Sequence, residues 1–445
     1  MPRAAPKGAG RTTRALKGSS QRVTSNDSGR WQDMRRGGGR QNWPQNLRVL
    51  AVASEWHSGH GGLSTLNRQL CCALAALGVK VVCLVVQASA EDSRNAESLG
   101  VTLVQTTCSP GQTEREALIR KPRLPDGFSP DLIIGHGRVT GPAAQILIED
   151  HFPSAKRLHL IHVAPDEIEW LKLDRTDDAG LRADRRTQIE VELARGAACV
   201  VAVGPRLYNR FLTELHPYNT TPLRFDPGFD NRNVNSRAAP PGSPWRVLVL
   251  GRLEDEHSKG LDLAAKAVGL AARRRGQNAL PLELVVRGAP PDTSTVLYDK
   301  LRKWADYPAL SIIVRPFTVD TENLDADVRR ASLVLMPSRK EGFGLVGLEA
   351  IAAGTPVLVS SESGLGEMLL EILKPDQAGR TVVRMTGDDS RDGEEWGRAI
   401  EGMLRDRDAA FRRAVEMQAS LANQRTWNSA MKGFLVTLHD ALTVS

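Results

Sequence analysis

The chain has 445 residues, of which 41% are hydrophobic and 25% are charged, so it has enough apolar residues for large buried cores. This composition excludes a wholly disordered chain, and no run approaches the ~18 apolar residues of a membrane-spanning helix. The net charge of +7 is uneven: residues 1–44 hold ten Lys or Arg against two Asp, which leaves 49 basic and 50 acidic residues elsewhere. The alkaline character therefore belongs to the N-terminal segment.

Residues 1–44 are rich in Gly, Arg, Ser and Gln and lack apolar periodicity, which predicts a disordered basic tail outside the fold. A solvated extension is one interpretation, and weak, transient association with nucleic acid or an anionic membrane surface is the alternative. No feature indicates specific nucleic-acid recognition. The tail also resembles an organelle transit peptide, but the apolar region of a secretory signal is missing. Five cysteines without C-x-x-C spacing favour reduced thiols and a cytoplasmic protein.

From residue 45 onward, apolar runs that are typical of buried strands alternate with helical patterns. The first helix places Leu63, Leu66, Leu70, Leu74 and Leu77 on one face. Such alternation predicts a parallel α/β sheet covered on both faces. Strands are expected at 47–53, 79–86, 131–134, 158–163 and 197–203.

A Pro-rich break at 238–244 continues neither helix nor strand, and a second alternating series follows it. Its strands are expected at 246–250, 282–286, 311–314, 332–336 and 356–360. The sequence therefore predicts two doubly wound domains, 45–238 and 239–424. Because ligands bind at the carboxyl ends of parallel strands, the active site is expected in the cleft between the domains.

Two glycine-containing turns precede helices at matching places in the two series. Gly61 and Gly62 follow the first strand, where a backbone without Cβ atoms can approach a phosphate. In the second series Arg252 follows the first strand and Lys259 comes seven residues later, just before a helix at 261–274. Two such cations can neutralise a diphosphate leaving group. A simple tight turn and two solvated surface cations are the alternatives.

Two histidines, His136 and His162, end neighbouring predicted strands of the first domain. Either side chain can reach the cleft, and a packed or surface role is the commoner outcome for a lone histidine. The residue pattern alone does not separate them.

The segment 337–350 places Glu341 and Glu349 eight residues apart around a glycine-rich turn. Gly342 and Gly344 let backbone amides face a ligand as a helix begins at about Leu345, and a helix N-terminus favours phosphate. Two alternatives are a dinucleotide site of the G-x-G-x-x-G kind and a helix whose glutamates are merely solvated.

With these residues the chain resembles the retaining glycosyltransferases of family 4, which have the GT-B fold, from about Leu47 onward. The E-x7-E motif from Glu341 to Glu349 is the most specific element of the resemblance. It implies that Arg252 and Lys259 hold the donor diphosphate, and it maps the active-site histidine of the family to His162. The implied catalytic residues are His162 and Glu341, with Glu341 on the transferred sugar. The other implied donor-binding residues are Gly61, Gly62, Phe343, Gly344 and Leu345, with Glu349 on the ribose.

The resemblance further implies transfer from a nucleotide-diphosphate sugar to an acceptor hydroxyl with retention, without a cofactor or metal ion. The acceptor is a small molecule, a glycan or a lipid-linked group, and the oligomeric state is not indicated. A helix at 425–445, around Trp427, is expected to cross back to the first domain. Asp325 and Asp327 are interpreted as an exposed helix face rather than a metal site. A phosphorylase, a sugar-nucleotide epimerase and a non-catalytic nucleotide-sugar-binding scaffold are the alternatives.

Overall fold

The computed structural model describes residues 46–57, 62–172, 176–229, 237–251, 256–276, 279–290 and 293–443. The predicted tail, Gly61 and Arg252 lie outside the described residues, so their predicted roles stay predictions. The described chain contains two parallel sheets.

The first sheet has seven strands in the order β3-β2-β1-β4-β5-β6-β7, all paired in parallel. The order reverses at β1 and β4, so the carboxyl ends of these two strands flank a crevice. The strands are β1 (Arg48–Val52), β2 (Lys80–Val85), β3 (Val101–Gln105), β4 (Leu132–His136), β5 (Lys156–Ile161), β6 (Cys199–Val203) and β7 (Leu223–Phe225).

The second sheet has six parallel strands in the order β10-β9-β8-β11-β12-β13, with its own reversal at β8 and β11. The strands are β8 (Trp245–Leu250), β9 (Leu282–Ala289), β10 (Ser311–Pro316), β11 (Leu333–Met336), β12 (Val357–Ser360) and β13 (Val382–Val383).

Helices cover both sheets, as the amphipathic patterns predict. Those associated with the first sheet are α1 (Gly62–Ala76), α2 (Ala90–Ser98), α3 (Glu114–Leu118), α4 (Gly137–Ile146), α5 (Pro165–Glu169), α6 (Ala179–Arg195) and α7 (Gly204–Leu215). Those that follow are α8 (Leu261–Arg275), α9 (Ser294–Ala305), α10 (Thr321–Arg330), α11 (Leu345–Ala352), α12 (Gly364–Ile372), α13 (Pro375–Thr381), α14 (Asp389–Arg405), α15 (Arg407–Gln424) and α16 (Trp427–Thr443).

The central strands are buried along their whole length. Every residue of β4, β6, β11 and β12 is buried, which explains why these strands read as continuous apolar runs rather than alternating ones. The predicted α/β architecture of two doubly wound domains is therefore confirmed.

The last helix, α16, packs on the first sheet. The Phe434 ring meets Phe225 of β7 edge-on at 5.3 Å between centroids, and Trp427 lies 6.0 Å from the same ring. The Phe229 amide donates to the carbonyl of Arg425 at 2.7 Å, just before this helix. The chain thus returns to the first sheet after completing the second.

Candidate active site

The loop after β11, which carries Glu341, packs on the backbone just after β5. A Cβ atom placed on Gly342 would lie 2.0 Å from the carbonyl oxygen of His162. Non-bonded heavy atoms do not approach so closely, so only glycine fits there. The second domain's E-x7-E loop is therefore held in van der Waals contact with His162 of the first domain.

Lys259 reaches into the same loop. Its Nζ lies 2.6 Å from Oε2 of Glu341, and the Ser338 hydroxyl donates to the same oxygen at 3.3 Å. The Lys259 and Glu341 side chains keep 30% and 20% of their surface exposed, so a ligand can still reach both groups. The structure thus joins directly two residues that the sequence separates by more than 80 positions.

The approach of Lys259 depends on the residue that follows it. Gly260 has φ +68° in the left-handed region, and a Cβ atom there would lie 2.1 Å from the carbonyl oxygen of Pro337. Both conditions favour glycine. Gly260 is also the N-cap residue of α8, so the close approach fixes the N-terminus of that helix beside the end of β11.

Helix α11 begins at Leu345, as predicted, with Gly344 as its N-cap residue at φ +106°. A Cβ atom on Gly62, the first residue of α1, would lie 3.5 Å from Cδ1 of Leu345. The first residues of α1 and α11 therefore lie in contact across the cleft. Glu349 lies partly exposed within α11.

Phe343 is only 5% exposed because its ring crosses to the first domain. A Cβ atom on Gly204, at the start of α7, would lie 2.6 Å from Cδ2 of this ring. The Phe343 side chain therefore packs the two domains together, which leaves its backbone amide as the group that can serve a ligand.

The two candidate histidines are in direct contact. His136 Nδ1 lies 2.9 Å from His162 Nε2, and His136 Nε2 lies 2.8 Å from Oδ1 of Asn67. Asn67 Nδ2 donates to the Cys83 sulfur at 3.4 Å, which leaves its Oδ1 to accept from His136. His136 then carries its proton on Nε2 and accepts from His162, so that Nδ1 of His162 remains a hydrogen-bond acceptor.

Burial keeps both rings neutral. It lowers the pKa of His136 to about 3, with a further contribution from His159. Burial also lowers the pKa of His162 well below its ordinary value, and His136 and His159 add to this effect. A neutral imidazole serves as a hydrogen-bonding group rather than a cation, so the two rings add nothing to the positive charge of Lys259.

Three residues at or beside the site have no signal in the sequence that predicts their role. Asn67 lies inside α1, where nothing in the helical pattern marks it, and it is fully buried. His159 and Glu190 form a buried pair at 2.9 Å, and Glu190 also accepts from the Arg138 amide at 3.0 Å, which fixes the turn after β4. No local signal reveals this pair, because its members lie on β5 and α6.

The domain interface is also charged. Arg206 of α7 contacts Glu167 at 3.0 Å in its own domain and reaches Glu362 at 3.1 Å and Glu367 at 3.0 Å in the other. Glu362 also forms an ion pair with Lys340, the residue that precedes Glu341. The loop that carries the site is thereby tied to the first domain.

The interpretation of Asp325 and Asp327 as an exposed helix face is wrong for Asp327. This residue is 5% exposed and binds Arg287 at 2.6 Å, with Arg315 on its other oxygen. Its helix packs against the sheet on that side, so the carboxylate serves the fold.

Within the described ranges no group of three or more His, Cys, Asp or Glu side chains could hold a metal ion. No helix there is long and apolar enough to cross a membrane.

A family model described as "Family 4 Glycosyltransferase in conflict systems" matches residues 50–434. A D-inositol 3-phosphate glycosyltransferase of Paenarthrobacter aurescens is 29% identical over 273 residues, which cover 57% of this chain and 62% of that relative's length.

Two solved structures share the fold. Sucrose-phosphate synthase from Thermosynechococcus elongatus has a TM-score of 0.64 at 18% identity, covering 90% of this chain and 100% of the other. Anabaena HepE, solved in complex with UDP-glucose, has a TM-score of 0.60 at 16% identity, covering 89% and 100%. Since the family model spans well over half of the sequence, the chain belongs to the family 4 glycosyltransferases of conflict systems, and it has the GT-B fold.

Proposed function

We propose that this glycosyltransferase moves a sugar from a nucleotide-diphosphate sugar to an acceptor hydroxyl, with retention of configuration and without a metal ion. The Lys259–Glu341 pair, 2.6 Å apart beside the Gly342 backbone that packs on the His162 carbonyl, is the observation that carries the proposal. A cation and a carboxylate therefore meet where the second domain contacts the backbone of His162, the residue with the neutral imidazole. That set suits a substrate with a diphosphate at one end and hydroxyls at the other.

The leaving diphosphate meets positive charge from the second domain. Lys259 and the amides of Phe343, Gly344 and Leu345 supply it, with Arg252 as a further predicted cation. Charge placed where the diphosphate develops its negative charge lowers the barrier to departure. This arrangement supports a reaction in which protein groups do the work that a metal ion does elsewhere.

Donor binding rearranges the ion pair. Lys259 turns from Glu341 to the diphosphate, and the released Glu341 carboxylate accepts hydrogen bonds from hydroxyls of the transferred sugar. Glu349 accepts from the nucleotide ribose. The likeness to HepE, which was solved with UDP-glucose, supports a UDP-sugar as the first donor to test.

In the transfer step, the acceptor oxygen forms a bond to the anomeric carbon while the bond from that carbon to the diphosphate oxygen breaks. The acceptor proton passes to the departing diphosphate oxygen on the same face of the sugar, which gives retention. Nδ1 of His162 accepts a hydrogen bond from a sugar or acceptor hydroxyl and so orients the reacting groups.

The name of the Paenarthrobacter relative supports a phosphorylated polyol as an acceptor to test, alongside glycans and lipid-linked acceptors. An acceptor screen should therefore begin with inositol phosphates and continue to neutral sugars.

The test is a thermal-shift panel of UDP-, GDP-, ADP- and TDP-sugars, followed by a nucleotide-release assay with the acceptor set. A ligand that binds the folded protein raises the melting temperature. One nucleotide class should raise the melting temperature of the wild type and of Lys266→Ala, a lysine of α8 that binds a backbone carbonyl instead. The shift should be lost in Lys259→Ala.

Analysis of the products distinguishes the proposed retaining transfer from the alternative activities. Nucleotide release that needs an acceptor, with the product in the donor's anomeric configuration, supports the proposal. Inverted product, a requirement for inorganic phosphate, or isomerised sugar nucleotide without an acceptor would refute it.

A further inference from the structure

A polar cavity lies at the opposite end of the second sheet from Lys259 and Glu341. It has a volume of about 240 Å³. One wall is the linker within 240–244, and the second domain contributes Arg246, Arg330, Ser332 and Arg407. Arg246 is near the start of β8, and Ser332 directly precedes β11, so the cavity faces the amino-terminal ends of these strands.

Positive charge exceeds negative charge around this cavity. The Nε of Arg246 is balanced by Glu283 at 2.8 Å. Arg407 donates to the Ser332 hydroxyl at 3.3 Å, and within the described part of the chain neither Arg407 nor Arg330 forms an ion pair. Two guanidinium groups therefore face the cavity without a bound carboxylate.

Hydrogen-bond donors are also in excess behind the cavity wall. The guanidinium groups of Arg275 and Arg407 each lie 4.4 Å from the centroid of the Trp245 ring. Trp245 Nε1 and Arg275 Nε are buried donors that have no acceptor among the described residues. Buried polar groups in folded proteins are nearly always paired, so these two donors mark a local shortage of acceptors, although Arg275 Nη1 does donate to the Leu404 carbonyl at 3.3 Å.

The titration of these arginines agrees with the geometry. Burial lowers the pKa of Arg407, and Asp408 only partly opposes the effect. Burial lowers the pKa of Arg275 as well; Glu401 opposes this, and repulsion from Arg407 adds to it. An added anion would relieve this repulsion.

We propose that this cavity binds a phosphate or diphosphate group, held by Arg330, Arg407 and the Ser332 hydroxyl. Guanidinium groups pair with phosphate oxygens through several hydrogen bonds, and an Arg cluster is a recurrent way to recognise phosphate. The volume is below the ~300 Å³ at which drug-sized pockets begin, a size suited to a small anion. Because the linker forms one wall, the bound anion holds the inter-domain linker against the second domain.

The donor cleft also binds diphosphate under the proposed function, so the test removes that site first. In a Lys259→Ala background, calorimetry with inorganic diphosphate should show binding. Arg330→Gln with Arg407→Gln should weaken it at least about tenfold, because the two changes remove the charged hydrogen-bond donors that hold the anion. The matched control, Arg329→Gln with Arg398→Gln, removes two exposed cations that pair with Asp325 and Glu395 instead, and should bind as before.

Arg330→Gln alone, an exposed residue at the end of α10, serves if the double variant does not fold. Equal affinity for inorganic diphosphate and ADP would identify the free anion as the ligand, and tighter ADP binding would identify a nucleotide diphosphate. Undiminished binding in the cavity variants, equal loss in the control, or no binding in the Lys259→Ala background would overturn the proposal.

Discussion

The hydrogen-bond chain from Asn67 through His136 to His162 determines which nitrogen of His162 carries a proton. His136 accepts at Nδ1 and donates at Nε2, so a replacement keeps the chain only if it can do both. Glutamine has an acceptor and a donor at similar reach, and leucine has neither. His136 is therefore a positioning residue, and glutamine can replace both of its hydrogen bonds.

We expect His136→Leu to lower kcat about 10- to 100-fold with little change in KM for the donor. Leucine leaves the polar groups of His162 and Asn67 without partners. Holding His162 in its working orientation then costs roughly 1–3 kcal/mol, which adds to the activation free energy. His136→Gln should retain kcat within a few-fold. Steady-state kinetics of the two variants check this, and equal losses of kcat would contradict the assigned hydrogen-bond chain.

Lowering the pH should destabilise the folded wild-type protein, because the buried His136 ring stays neutral. The pKa of His136 is about 3 in the folded chain against an ordinary 6.5, so between these pH values only the unfolded chain binds the proton. The free energy of unfolding therefore falls as pH falls below 6.5. The contribution of His136 between pH 7 and pH 5 is about 2 kcal/mol.

Urea unfolding of the wild type and His136→Gln at both pH values measures that contribution. Between pH 7 and pH 5, the free energy of unfolding should fall by about 2 kcal/mol less in the variant than in the wild type. Parallel losses would show that His136 does not titrate as described.

At the scale of elements, the site depends on loops and helix starts that approach closer than a side chain permits. Gly260 lies against Pro337, and Gly342 lies against His162. Each contact positions one functional group, Lys259 or Glu341, so loop geometry and chemistry are linked.

Gly342→Ala should test this link. The added methyl would have to move the loop from His162, so we expect about 1–3 kcal/mol lower stability and roughly 100-fold lower kcat. Gly402→Ala is the control, because it lies in α14 with no atom within 4 Å of the added Cβ. That control should be stabilised by about 0.5–1 kcal/mol with unchanged turnover, as chemical denaturation and nucleotide release would report.

The sequence predicted the long buried strands well, because two-sided burial leaves a continuous apolar run. It missed β3, an edge strand with exposed and half-buried positions, and the short strands β7 and β13. Strands of three and two residues carry too few positions for any periodicity.

Predictions for the site were limited by distance along the chain. The sequence indicates Lys259 and Glu341 separately through their turns and strand ends, but not that they pair. Asn67 and Glu190 have no local signal at all, since their roles arise only when distant elements pack. From the sequence, His136 and His162 are alternatives. In the structure the two rings are joined by a hydrogen bond.

At the scale of the whole molecule, Arg206 connects the domains. It is 11% exposed and contacts three carboxylates, two of them across the interface. Removing one partner of a largely buried ionic cluster leaves the others uncompensated.

We expect Arg206→Ala to lower the free energy of unfolding by about 3 kcal/mol and to raise KM for the donor, because the loop that carries Glu341 loses its tie to the first domain. Arg398→Ala, which removes an exposed pair with Glu395, should change stability by less than about 0.5 kcal/mol. Thermal and urea unfolding compare the two variants, and similar stability would show that the interface cluster is dispensable.

The return of the chain to the first sheet has a mechanical consequence. The domains are joined covalently twice, once through 238–244 and again through Arg425 at the start of the crossing to α16. Separation or twisting of the domains would stretch one of these two connections. Rotation about the line through the two crossings stretches neither connection, so it is the opening motion that the two connections oppose least.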